Sequence, residues 1–93
     1  DDNHFNLVGY QLLRARRPDV AYRVFEMNRN NYPDSWLSYN GLGESSRMMG
    51  QTALAGTYYR KSLELKPQNA GGNKGLSMLA SPAAVNGRNR KRR

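Results

Sequence analysis

Apolar side chains recur along the chain at the three- and four-residue spacing that is typical of amphipathic α-helices. One stripe runs from Phe5 to Leu12 and a second from Val20 to Phe25, with polar residues between the apolar positions. Stripes of the same spacing begin again at Tyr39 in the second half. The pattern predicts four helices and a weaker, glycine-rich fifth, at about residues 4–15, 19–31, 35–49, 52–65 and 70–79.

The two halves of the chain repeat one another at a constant 34-residue offset, which carries Phe5 onto Tyr39. At this repeat offset, residues of similar size and chemistry fall on one another. The matched pairs are Phe5 and Tyr39, Val8 and Leu42, Gly9 and Gly43, Ala21 and Ala55, Phe25 and Tyr59, and Pro33 and Pro67. We interpret the constant offset as two copies of one helix–turn–helix unit.

The matched glycines and aromatic residues predict how the helices pack. A missing side chain at Gly9 and at its match Gly43 should let the paired helices approach closely. The rings of Phe25 and Tyr59 should then fill the space toward the next helix. A single helix pair cannot bury its apolar face alone, so the units are expected to stack.

Each unit resembles the tetratricopeptide repeat (TPR) family in its length and in the order of its landmark residues. That order is a bulky residue, Leu-Gly, Ala, an aromatic residue and a closing Pro. The second unit carries this pattern at Tyr39, Leu42, Gly43, Gly50, Ala55, Tyr59 and Pro67. The first unit carries it at Phe5, Val8, Gly9, Ala21, Phe25 and Pro33. The segment from Tyr32 to Pro67 is also similar to the short TPR segments at the C-termini of bacterial serine hydrolases of the β-lactamase-like and esterase kinds.

The resemblance implies an all-α fold, a right-handed α-solenoid of two TPR repeats closed by a capping helix. The implied domain covers residues 2–81, with repeat one at 2–34, repeat two at 35–68 and the capping helix at 69–80. Residues 82–93 are expected to form a disordered basic tail.

The sequence departs from the TPR pattern at several positions, among them Ser46, which replaces the usual large aromatic residue in the first helix of repeat two. Arg16 stands where the second unit has the turn glycine Gly50, so the first turn is expected to be built differently, with Pro18 setting its geometry. Asn28 and Ser62 occupy the small-residue position late in the second helix of each unit. They predict a polar contact at a position where such repeats normally have only apolar packing.

The net charge of +8 is concentrated at the end of the chain. Five basic residues lie close together there: Arg88, Arg90, Lys91, Arg92 and Arg93. The rest of the chain is only mildly basic, with ten basic against seven acidic side chains. This basic tail has three interpretations: a tether to nucleic acid or an acidic membrane, an address or processing remnant, or a solubilising end without a partner.

The residues needed for catalysis, metal binding or a membrane span are scarce. The chain has no Cys and one His, and no apolar run approaches the roughly 20 residues of a membrane span. Between Gly41 and Ser45 the order of residues differs from that of a nucleophile elbow, which needs Ser between the glycines. We therefore predict a protein that is not an enzyme, with no catalytic residues, no metal site and no cofactor.

Surface recognition is the function that these exclusions leave. The TPR resemblance implies a concave groove lined by the first helix of each repeat. Carried over position by position, the groove residues are Asn3, Asn6, Tyr10, Leu13, Arg14, Leu37, Asn40, Glu44, Arg47 and Met48. Asparagine amides could bond an extended peptide backbone, arginines could pair with carboxylates, and the apolar members give adaptable contact. The alternative is an ordinary solvated helix face, or a face buried against a parent domain.

One TPR ligand is excluded by the same comparison. Modules that clamp the C-terminal carboxylate of chaperones use Lys, Asn, Asn, Lys and Arg at five positions. The corresponding residues here are Asn6, Tyr10, Gly41, Gly71 and Gly75, and none of them matches.

Three hypotheses follow for function, and the sequence indicates no cellular location. The first is a non-catalytic protein–protein interaction module or scaffold that binds a peptide or partner domain. Because two repeats plus a cap fall short of the usual minimum of three, it is expected to dock on a parent domain or form a homo-oligomer. The second is a nucleic-acid-associated adaptor acting through Arg14, Arg16, Arg17 and the basic tail. The third is an accessory C-terminal segment of a serine hydrolase.

Overall fold

The computed structural model describes residues 1–80, which fold into five α-helices and contain no strand. The helices are α1 (Asp2–Arg14), α2 (Pro18–Asn31), α3 (Trp36–Met48), α4 (Thr52–Leu65) and α5 (Ala70–Ala80). The all-α class and the five predicted helices are confirmed. The prediction of a disordered tail over 82–93 lies outside the described residues.

Capping residues explain where the helices begin. The Asp1 carboxylate accepts a hydrogen bond of 2.9 Å from the backbone N–H of His4, so α1 begins two residues earlier than the apolar pattern predicts. Ser35 caps α3 in the same way, and for this reason lies just outside the helix. Pro18 is the first residue of α2, one residue before the predicted start, where its missing N–H costs no hydrogen bond.

The turns after α1 and α3 have the same geometry. Arg16 and Gly50 both have positive φ, 64° and 79°. Each donates its N–H to the carbonyl three residues earlier at 3.0 Å, and the following residue donates to the carbonyl five residues earlier at 2.9 Å. This is the Schellman pattern of helix ends. The expectation of a differently built first turn is therefore wrong, because Arg16 takes the left-handed conformation that glycine takes in the second turn.

Helices that follow each other in the chain pack together throughout the described residues. In addition, α1 contacts α3 and α3 contacts α5. The odd-numbered helices are thus consecutive neighbours, and they supply one continuous side of the molecule.

The Phe25 ring fills the space between α2 and its two neighbours. It is fully buried, and a Cβ built on Gly9 of α1 or on Gly41 of α3 would overlap it at less than 3.0 Å. Real Cβ atoms are essentially never found so close to other atoms. Both glycines are therefore required for the ring to fit.

Tyr59 repeats this arrangement at the matched position of the second helix pair. Its ring is fully buried between Gly43 of α3 and Gly75 of α5, each of which leaves no room for a Cβ. The prediction that both aromatic side chains reach toward the next helix is confirmed. The glycine on that next helix was not anticipated in either case.

A cluster of polar side chains, which we call the first polar cluster, ties α1 to α2 and to the start of α3. The Asn28 amide donates to Asp2 at 2.7 Å and the Ser35 hydroxyl donates to the same carboxylate at 2.8 Å. Asn28 is fully buried. The predicted polar contact at Asn28 is confirmed.

The second polar cluster joins α3, α4 and the start of α5. The Ser62 hydroxyl donates to the Asn40 side-chain oxygen at 2.7 Å, which confirms the polar contact predicted there. The Asn40 amide donates to Asn69 at 2.9 Å, and Asn69 also accepts the backbone N–H of Gly72 at 2.8 Å. One buried asparagine therefore both caps α5 and fastens it to α3.

Candidate ligand groove

A cavity of about 310 Å³ lies among α1, α3 and α5. Its lining residues are Tyr10, Asn40, Glu44, Arg47, Gly71, Lys74 and Met78. We call this space the groove. Each of the three odd-numbered helices contributes to it, because they are consecutive neighbours.

Most groove residues belong to two sets of matched positions. Tyr10, Glu44 and Met78 are separated by the repeat offset, and so are Asn40 and Lys74. The same position on each odd-numbered helix therefore faces the same space. The groove has a mixed lining as a result, with one aromatic, one acidic and one thioether side chain across it.

The groove brings together four of the residues predicted from the sequence, namely Tyr10, Asn40, Glu44 and Arg47. The other predicted residues do not line it. These are Asn3, Asn6, Leu13, Arg14, Leu37 and Met48. Leu13 packs in the core at 6% exposure. Asn3, Arg14 and Met48 are exposed elsewhere, and Asn6 and Leu37 are half-buried.

Sequence reasoning missed the contribution of α5. Gly71, Lys74 and Met78 form one wall of the groove. The signal was present, because Lys74 matches Asn40 and Met78 matches Glu44 at the repeat offset. These matches indicate that α5 faces the same space as α1 and α3, in addition to capping the second helix pair.

A hydrogen-bonded trio holds the polar side of the groove in place. Arg47 Nη2 donates to Glu44 Oε2 at 2.7 Å, and Arg47 Nε donates to the Tyr59 hydroxyl at 3.2 Å. The Tyr59 hydroxyl in turn donates to Glu44 Oε1. The Glu44 carboxylate therefore has a donor on each oxygen, and the buried Tyr59 ring sets the position of both charged side chains.

The surroundings of these groups shift their pKa values. Burial, followed by the hydrogen bond to Glu44, raises the pKa of Tyr59 well above its ordinary value. Burial and the charge of Glu44 do the same to the pKa of Tyr10. For Arg47, burial opposes the charged form, but hydrogen bonds to Glu44 and Tyr59 raise the pKa overall. Near neutral pH both phenols thus stay uncharged and Arg47 stays cationic.

Lys74 adds a second cation to the groove. Its side chain is on the exposed face of α5, and no carboxylate of residues 1–80 lies within 4.0 Å of its Nζ. Among the charged lining residues, Glu44 is thus outnumbered by Arg47 and Lys74.

Three observations on residues 1–80 concern metal binding, the Ser45 hydroxyl and membrane spanning. This part of the chain holds no group of three or more His, Cys, Asp or Glu side chains that could bind a metal ion. Ser45 lies inside α3, and its hydroxyl donates to the Gly41 carbonyl at 2.8 Å, so it is engaged by its own helix. None of the helices in these residues is long and apolar enough to span a membrane.

A second cavity, of about 530 Å³, lies between α4 and α5 and contains none of the predicted groove residues. The predicted basic-tail residues lie outside the described residues. They are Arg88, Arg90, Lys91, Arg92 and Arg93.

Comparison of the chain with models of known protein families and with curated proteins gives no match.

Proposed function

We propose that residues 2–80 form two TPR-like repeats and a capping helix, stacked as a right-handed α-solenoid that works as a non-catalytic protein-interaction module. Its ligand is a peptide segment, or an extended segment of a partner domain, that lies in the groove among α1, α3 and α5.

The observation that carries this proposal is the repetition of the lining. Tyr10, Glu44 and Met78 are matched positions on the three odd-numbered helices and face one cavity. Stacked helical repeats use their concave side as an extended binding surface, with each repeat contributing the same positions. The matched Phe25 and Tyr59 packing sites support the same stacking.

The chemistry of the lining favours an extended peptide over a compact ligand. Arg47 and Lys74 offer hydrogen-bond donors, and Met78 and Tyr10 add apolar surface. All three odd-numbered helices contribute lining residues to the groove, which suits a chain that runs across them.

Selection of peptides tests the proposal. The full chain is used to select binders from a displayed library of random peptides, and their affinities are then measured for two variants. Met78→Glu places a charge in the groove, and Met27→Glu places the same charge on an exposed methionine of α2 that lies outside it. We expect selected peptides to lose at least tenfold in affinity with the first variant and to keep their affinity with the second.

Two results would contradict the proposal. One is the absence of any enriched peptide. The other is an equal loss of affinity with Met78→Glu and Met27→Glu while circular dichroism shows both variants to be folded.

A further inference from the structure

Hydrogen-bond capacity in the groove is unevenly distributed between donors and acceptors. Both oxygens of Glu44 already accept a bond, from Tyr59 and from Arg47. Arg47 uses two of its N–H-bearing nitrogens in the trio, at Nε and Nη2. Its Nη1 group is free of such bonds within residues 1–80. A guanidinium has five N–H donors in all, so donors remain after the trio is formed.

Lys74 adds donors from the opposite wall. It lies on α5, across the groove from Arg47 on α3, and has no carboxylate partner within residues 1–80. Two cationic side chains with spare donors thus line one cavity, and the carboxylate there is already bonded. A ligand that brings acceptors and negative charge gains charge-assisted hydrogen bonds, whereas a cationic ligand meets a like charge.

The groove also has an apolar part beside these cations. Met78 lies one helical turn beyond Lys74 on α5 and is 41% exposed. Tyr10 lies on the opposite side, with its ring edge packed on Phe25 at 5.3 Å between centroids. An apolar side chain next to a carboxylate would contact these two residues.

We infer that the groove binds a peptide segment with a carboxylate next to an apolar residue, with the carboxylate between Arg47 and Lys74. The inference rests on the proposed function and names the ligand class for it. The excluded chaperone clamp uses other positions, so the carboxylate here is bound by a different set of side chains.

The test uses the capped peptide Ser-Glu-Leu-Glu-Ser and its counterpart with glutamine at both glutamate positions. Each is titrated into the full chain while amide chemical shifts are followed by NMR. We expect the glutamate peptide to bind about tenfold more tightly and to shift the amide signals of Gly71 and Lys74. A third peptide, the glutamine form with a free C-terminus, distinguishes a side-chain carboxylate from a terminal one. Binding of either acidic form supports the inference.

Matched variants assign the effect to the groove. Lys74→Gln should weaken the glutamate peptide about fivefold and leave the glutamine peptide unchanged. Lys61→Gln removes the same charge from an exposed lysine of α4 and should change neither. Glu44→Gln removes the competing charge and should strengthen binding of the glutamate peptide several-fold.

Equal affinity for all three peptides, the capped glutamate form, the capped glutamine form and the glutamine form with a free C-terminus, would overturn the inference, as would equal effects of Lys74→Gln and Lys61→Gln. Absence of binding by all three peptides would overturn it too. In each of these cases the proposed function still stands if library-selected peptides remain sensitive to Met78→Glu. Loss of that sensitivity would overturn the proposed function itself.

Discussion

Phe25 and Tyr59 occupy equivalent places in the two helix pairs, but they have different neighbours at the ring edge. The Phe25 ring packs against the edge of Tyr10 and belongs to an apolar cluster that includes Leu13. The Tyr59 hydroxyl instead bonds to Glu44 and Arg47. These partners match Tyr10 and Leu13 at the repeat offset, so equivalent positions surround both rings.

This difference shows how one packing arrangement can serve two purposes. Around Phe25 the matched positions complete the core, and Leu13 is buried there. Around Tyr59 they are charged and line the groove. A single hydroxyl group on the buried ring connects the core to the groove, which explains why the polar side of the groove belongs to the second helix pair.

The largest effect is expected from adding a methyl group beside Phe25. Gly41→Ala places a Cβ inside the ring, which is held on both sides, and should lower the free energy of unfolding by about 3 kcal/mol. Gly75→Ala creates the same overlap with Tyr59 but should cost less, because α5 can shift away from its two neighbours. Urea unfolding of both variants measures the difference.

Gly56→Ala is the control for these substitutions. A Cβ there would be 3.2 Å from the end of the flexible Arg60 side chain and 3.6 Å from Leu79. Alanine is also preferred to glycine in a helix by about 1 kcal/mol. We expect Gly56→Ala to leave stability unchanged or increased, and a loss as large as that of Gly41→Ala would refute the steric explanation.

The next largest losses of stability are expected in the two polar clusters, and the second cluster should lose more than the first. Asn69→Ala removes the cap of α5 and leaves the buried Asn40 amide without its partner, which should cost about 2 kcal/mol. Asp2→Ala disrupts the first polar cluster, where Asp2 is only half-buried, and should cost about 1 kcal/mol.

Hydrogen exchange separates these two variants further. Asn69→Ala should speed exchange of the α5 amides while protection in α1 and α2 is kept. Uniform loss of protection along the chain would show that α5 is not held mainly by the second polar cluster.

Exchanging the two aromatic residues tests the comparison directly. Tyr59→Phe removes hydrogen bonds to two charged groups and should cost about 1.5 kcal/mol. Phe25→Tyr brings a hydroxyl to the side of Tyr10 and Leu13 and should cost about 1–2 kcal/mol, because these two residues stand where Tyr59 has Glu44 and Arg47. Thermal unfolding measures both variants. An unchanged melting temperature for either one would contradict the conclusion that the two rings have different surroundings.

The smallest expected effect concerns the matched turns. Arg16→Gly removes a side chain from a left-handed position and should raise stability by up to about 1 kcal/mol. Gly50→Ala introduces the same strain into the second turn and should lower stability by about 1 kcal/mol. Opposite signs in the two denaturation curves are the expected result, and equal signs would contradict the matched geometry.

Several features were predictable because they depend on residues close together in the chain. Helix positions follow from apolar spacing and caps, so predicted and observed bounds differ by at most two residues at either end. The left-handed turn at Arg16 was not predictable from residue type, since arginine is disfavoured there and only the surrounding helices impose it.

The groove was predictable in part for a similar reason. Carrying the TPR pattern onto α1 and α3 located Tyr10 and Glu44, but it also included Leu13, which the core encloses. Burial depends on which helices meet around a side chain. A pattern along one helix does not contain that information.

The amino-acid sequence alone determined the five helices, the repeat offset and the ends of each helix to within two residues, because these follow from local periodicity and backbone preferences. Only the tertiary structure decided that glycines on two helices enclose each aromatic ring, and that α5 forms a wall of the groove. It also decided that Tyr59 positions Glu44 and Arg47. Such contacts join residues far apart in the chain, and their geometry exists only once the helices have packed.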